Sequence, residues 1–215
     1  ANSGLAYALM APIVGALPTS GTVSYSLLSA TRPVYGDGHT APGTFAADLT
    51  VGFGSALRYA MNGTITMPDA TYTFSTPGGA TGALQAAQVG NNPAFFIIRP
   101  TLSATGPACT SGTGCFVNFY GGFGGSNPQE RLGFGYVTVG TGGTGSRIHG
   151  AALFGSASSG GGGGGSIPAN FAGANMWLFN NGGGRVGQSP TTAVASDGQI
   201  NSVMNGASTT FVFGT

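Results

Sequence analysis

Lysine is missing from this chain altogether, and six arginines with five acidic residues bring charge to only 5% of its 215 positions. The formal charge is +1 and the arginines never cluster, which removes the basic footprint that nucleic-acid binding requires. Polybasic attraction to an anionic lipid surface is removed on the same ground. No stretch approaches the ~18 consecutive apolar residues of a membrane-spanning helix, so no transmembrane helix is expected.

Groups able to carry reactions are equally scarce. Acid–base catalysis needs neighbouring groups of matched pKa, and the whole supply is Asp37, Asp48, Asp69, Asp197, Glu130, His39 and His149. Without lysine there is no GxxxxGK phosphate loop, and neither GxSxG nor HExxH occurs. Gly142–Ile148 begins like a calcium-binding nonapeptide, but Arg147 stands where an aspartate ligand is needed. Asp37-Gly38-His39 lies in a loop, and a turn aspartate beside an exposed histidine is a simpler reading than a metal ligand pair. His149, beside Arg147 on a strand, reads as a surface residue. The expectation is no enzyme, no metal site and no cofactor.

The two cysteines, Cys109 and Cys115, enclose Thr-Ser-Gly-Thr-Gly. A short polar loop containing glycine can close as a disulfide, the alternative being two free thiols; with no histidine nearby in sequence, a metal site is disfavoured. A disulfide implies an oxidising compartment. An opening Ala-Asn-Ser is what removal of a signal peptide leaves behind. Together these point to a secreted protein or one held at the outer cell surface.

What the chain has in abundance is glycine, 42 residues, and apolar side chains, 41%. Between Gly43 and Phe74 the apolar residues fall at every second position: Phe45, Ala47, Leu49, Val51 and Phe53, then Leu57, Tyr59, Met61, Ile65 and Met67 beyond Gly54-Ser55. Period two means a strand with one buried face, and the Gly-Ser turn makes a β-hairpin. Further strands are predicted at Gly21–Leu28, Thr71–Ser75, Ala94–Thr105, Cys115–Phe123, Arg131–Val139 and Arg147–Phe154. Pro100 marks a bulge or an edge, and Gly82–Val89, within the long connection 76–93, has room for a helical turn. Eight strands with mostly short loops suffice to close an all-β, up-and-down antiparallel barrel. Tyr25, Tyr59, Tyr72, Tyr120, Tyr136 and Trp177 either stack on flat ligands or fill the core; alternation favours the core.

Composition divides the chain into an N-terminal arm (1–20), the barrel (21–157), and a glycine-rich linker with a strand-bearing extension (158–215). Ser158–Ser166 reads as a tether. Beyond it, Met176, Trp177, Leu178 and Phe179, with Phe211, Val212 and Phe213, make two apolar segments too short to form a core alone. They dock either on their own barrel or on a neighbouring subunit, and we take them as candidate assembly residues.

Phe119-Tyr120-Gly121-Gly122-Phe123, followed by Pro128-Gln129-Glu130-Arg131-Leu132-Gly133-Phe134, is similar to the signature of the transferrin-binding-protein-B type β-barrel. Gly43-Thr44-Phe45 through Phe53 resembles an inner strand of those barrels, although Gly52-Phe53-Gly54 lacks their aspartate. Gly150–Gly155 resembles their closing strand, and a similar barrel ends FecR-like surface proteins of Gram-negative bacteria. The resemblance covers roughly residues 20–155 and implies a non-enzymatic barrel on the outer surface. With so little charge to keep copies apart, the expected function is structural: a self-assembling subunit of a filament, matrix or surface layer whose partners are copies of itself. The alternative is a surface module binding an extracellular protein or a small solute.

Overall fold

The computed structural model describes residues 16–89, 95–103, 105–111, 113–124 and 129–156 with their side chains. It also describes the backbone of six outlying strands, Leu9–Met10, Asn175–Phe179, Arg185–Ser189, Ala193–Val194, Gln199–Met204 and Ala207–Val212. Among the described residues there is no α-helix, only two single turns of 3-10 helix at Gly79–Thr81 and Thr144–Ser146.

Eight strands close a ring: β1 Gly21–Ala30, β2 Thr44–Phe53, β3 Arg58–Thr66, β4 Thr71–Ser75, β5 Thr101–Ser103, β6 Cys115–Gly124, β7 Arg131–Val139 and β8 Ile148–Ser156. Each pairs antiparallel with its neighbours in sequence, and β8 returns to β1 through Phe154↔Leu27 and Ser156↔Tyr25. The fold is the expected up-and-down barrel. Every ring strand has two partners, so closure hides the edges that an open sheet would present.

The predicted hairpin is the longest run of regular pairing on the amino-terminal side, from Thr44↔Thr66 to Gly52↔Arg58. Its alternating residues enter the barrel, where Leu49, Val51, Tyr59, Met61 and Ile65 are buried. Aromatic rings fill the centre. Phe45 on β2 reaches across to stack on Tyr136 of β7, centroids 4.7 Å apart, and Phe74 and Phe119 pack at 5.4 Å. Phe96, Phe123 and Phe53 continue the column at 5.2 and 5.4 Å. These rings are part of one buried hydrophobic cluster that fills the interior. Gly150 makes room for it: a Cβ there would collide with the Tyr136 ring.

Two expectations need correcting. The predicted fifth strand is interrupted at Arg99-Pro100 into Phe95–Ile98 and Thr101–Ser103, because proline lacks the amide a ladder needs. Both halves keep one register against β6, Ile98↔Phe119 and Thr101↔Phe116. The long connection holds no helical turn at 82–89; its single turn lies earlier, at Gly79–Thr81, and Gln85–Ala86 and Gln88–Val89 are short strands.

They form for a reason. β4 stops at Ser75, leaving the β3 edge at Arg58–Tyr59 and the Phe95–Ile98 edge without partners. Gln85–Ala86 takes the first and Gln88–Val89 the second. Thr76 ends β4 by accepting the Met61 amide on its side-chain oxygen at 2.9 Å, and the Tyr59 hydroxyl accepts the Arg99 amide at 2.9 Å. Buried backbone groups are thereby satisfied without a longer strand.

Candidate interaction surface

The outer face of the barrel divides into two flanks. Along β4 the burial alternates strictly, with Thr71, Thr73 and Ser75 exposed between Tyr72 and Phe74. The outward residues of β1 (Thr22, Ser24, Ser26) and of β2 (Ala46, Asp48) are exposed as well. From β6 to β8 the alternation vanishes. On β7 every residue from Leu132 to Thr138 is buried, and on β8 all but Leu153. Val137 and Ala151 point away from the core, yet are 4% and 2% exposed.

Glycine and small residues make this flank flat, with Gly133 and Gly135 in β7 and Ala151 and Gly155 in β8. Arg131, at its edge, is the charged residue among its outward β7 and β8 positions. Beside β7 lie Leu9–Met10 and Asn175–Phe179, themselves an antiparallel pair with Met176 opposite Leu9. Asn175–Phe179 pairs on its other side with Arg185–Ser189 and with no ring strand. Its backbone comes close to β7 without pairing with it.

Met176, Trp177, Leu178 and Phe179 therefore occupy a strand adjacent to this flank. Phe211 and Val212 lie at the end of Ala207–Val212, which pairs with Gln199–Met204 in a separate three-stranded sheet. The side chains of these residues, and Phe213 entirely, lie outside the described residues. The flank itself escaped the sequence analysis. Its signal was present: Arg131–Val139 and Ile148–Ser156 lack the polar alternate positions of a half-exposed strand, the mark of strands buried on both faces.

The loops at one end of the barrel are locked together. Cys109 and Cys115 form the expected disulfide, with Cα atoms 6.0 Å apart. The amides of Thr110 and Ser111 donate to the Thr141 hydroxyl at 3.0 and 3.1 Å. In the β1–β2 loop, Asp37 accepts from the His39 ring at 2.5 Å and Asp69 of the β3–β4 turn lies 3.4 Å from the other ring nitrogen. The second acid was not foreseen in the sequence. Beneath them the Tyr35 hydroxyl donates to Asp69 at 3.1 Å, sits 2.9 Å from the Tyr72 hydroxyl, and its ring stacks on His39.

The Asp37 hydrogen bond raises the His39 pKa, with Asp69 assisting, and the same bond lowers that of Asp37. Burial and the Tyr72 hydroxyl push Tyr35 far up. Both imidazole nitrogens face carboxylates, which favours a proton on each. Among the described residues no group of three or more His, Cys, Asp or Glu is arranged to hold a metal ion.

His149 corrects the sequence reading. It is not a surface residue but 6% exposed, on the outward face of β8 opposite Val137, with Nε2 lacking a hydrogen-bond partner. Burial first, and the Arg147 charge second, lower its pKa to about 4. It is neutral at physiological pH, so it adds no charge to the flank.

At the opposite end of the barrel an apolar cleft of about 480 Å³ is lined by Leu17, Pro18, Phe53, Leu57, Ala87 and Val89 among others. Val89 is 43% exposed there. Comparison with family models, with curated proteins and with solved structures finds no match.

Proposed function

We propose that this chain is a non-enzymatic, self-assembling β-barrel with a structural role outside the cell, a subunit of a fibre, matrix or surface layer. The observation that carries the reading is the charge-poor, buried outer face of β7 and β8 with a strand-bearing extension beside β7. A surface with few charges offers little repulsion to approaching copies. The disulfide supports an oxidising setting, either secreted or at the outer surface. The resemblance to transferrin-binding-protein-B type barrels supports the same location. The scarcity of ionisable groups in the sequence, five acids and two histidines, is the ground for a non-enzymatic reading.

Sedimentation and electron microscopy of the oxidised full-length chain, from micromolar to millimolar, test this. Ordered assemblies are expected at the upper end; a monomer throughout would overturn it.

A second reading, a surface module for a small apolar solute, is favoured by the cleft, whose volume falls within the usual range of ~300–1,000 Å³ for ligand sites. A ligand bound only to the folded chain raises its melting temperature. A thermal-shift screen of apolar solutes would support this reading by a rise that Leu57→Arg abolishes, and a flat screen would remove it.

A further inference from the structure

We infer that the flank formed by β6–β8 is a receptor for the strand Asn175–Phe179 of a second copy of this chain, so that copies join by exchanging that strand. The inference rests on the self-assembly reading and names its contact surface.

Val137 and Ala151 point outward and are nevertheless buried, so this face works as an interior surface. The strand beside β7 is hydrogen-bonded to Leu9–Met10 and Arg185–Ser189 and not to the ring. No register with a ring strand commits it to its own barrel, and exchange has to break only the two-residue ladder to Leu9–Met10. The covalent connection does not commit it either. Residues 157–174 can extend about 60 Å, against the ~10 Å that separates packed sheet layers. The same strand can thus reach its own flank or that of a neighbour.

Concentration decides between them. A segment tethered this closely competes at an effective concentration of the order of millimolar. At micromolar protein each strand stays on its own flank, and exchange rises as other copies approach millimolar or when the home flank is spoiled. Reciprocal exchange closes a dimer, whereas successive exchange builds an open chain. The neutral flank fits such an occupant: a charged or lipid partner finds no complementary charge on β7 or β8 apart from Arg131 at the edge.

Two full-length variants test it. Val137→Arg spoils the receptor flank and leaves its strand free; Trp177→Asp with Leu178→Asp spoils the strand and leaves its flank free. At tens of micromolar each alone is expected to run as a monomer. Mixed in equal amounts, they are expected to give a species of twice the mass by light scattering and nothing larger, because one receptor and one donor remain. A mixture that stays monomeric while both components melt cooperatively overturns the exchange, as does undiminished assembly by either variant alone. Leu153→Arg, at a half-buried outward position of β8, provides a second receptor-spoiled chain if Val137→Arg does not fold. If the unaltered chain fails to assemble at millimolar, the structural role falls, whereas a failed mixture removes only the exchange.

Discussion

The two flanks of this barrel are built from similar strands and differ in what their outer faces meet. On β1–β4 most outward positions hold threonine, serine and an occasional charge and face water, while Gly52 and Ala60 are buried. On β7 and β8 the outward positions 133–137 and 149–155 hold glycine, alanine, valine, leucine and a neutral histidine, and all but Leu153 are buried. Inside, the flanks share one aromatic core, joined by the stack of Phe45 on Tyr136. The lesson is that closing a ring satisfies the edges of a sheet but not both of its faces.

The sharpest way to break this comparison is to place the same charge on each flank. Val137→Arg buries an unpaired cation and is expected to cost about 3 kcal/mol or more. Ala46→Arg, outward and exposed on β2, is expected to stay within about 0.5 kcal/mol. Urea unfolding midpoints measure both. Equal costs would erase the distinction between the flanks.

Acid should attack the covered flank next. His149 is neutral when folded, with a pKa near 4 against an ordinary 6.5, so the unfolded chain binds its proton first. Stability from this group is present above pH 6.5 and is lost as pH falls toward 4, by at most about 3 kcal/mol. His149→Leu should flatten that part of the pH profile, and an unchanged profile would contradict the burial. Reducing the disulfide should cost about 2 kcal/mol, the chain-entropy value for so short a loop; thermal melts with and without reductant measure it.

The smallest effect is expected at the exposed His39. Its folded pKa is raised by Asp37 and Asp69, so its contribution is full below pH 6.5 and fades as pH rises through the raised value. Solvent screening keeps it modest. His39→Gln should remove a slight loss of stability on the alkaline side while leaving the acid limb to His149. Opposite signs for the two histidines would sharpen the contrast between the exposed loop end and the dry flank.

Much of the barrel was written in residue order. Alternation at period two and Gly54-Ser55 located the strands and the hairpin turn, because pleating and turn preferences act over a few residues. The spacing of Cys109 and Cys115 likewise foretold their bond. Partners far apart in the chain were another matter. Asp69 arrives beside His39, and His149 is buried between Val34 and Val137, only because the fold brings distant segments together. Gln85–Val89 becomes strand only because β4 ends early and leaves backbone groups to satisfy. Local chemistry determined that this chain would be a β-barrel with few ionisable groups. Which half of its outside would be wet, and which would need a cover, depended on where the ends of the chain come to lie, and burial is a property of the assembled surface rather than of any residue alone.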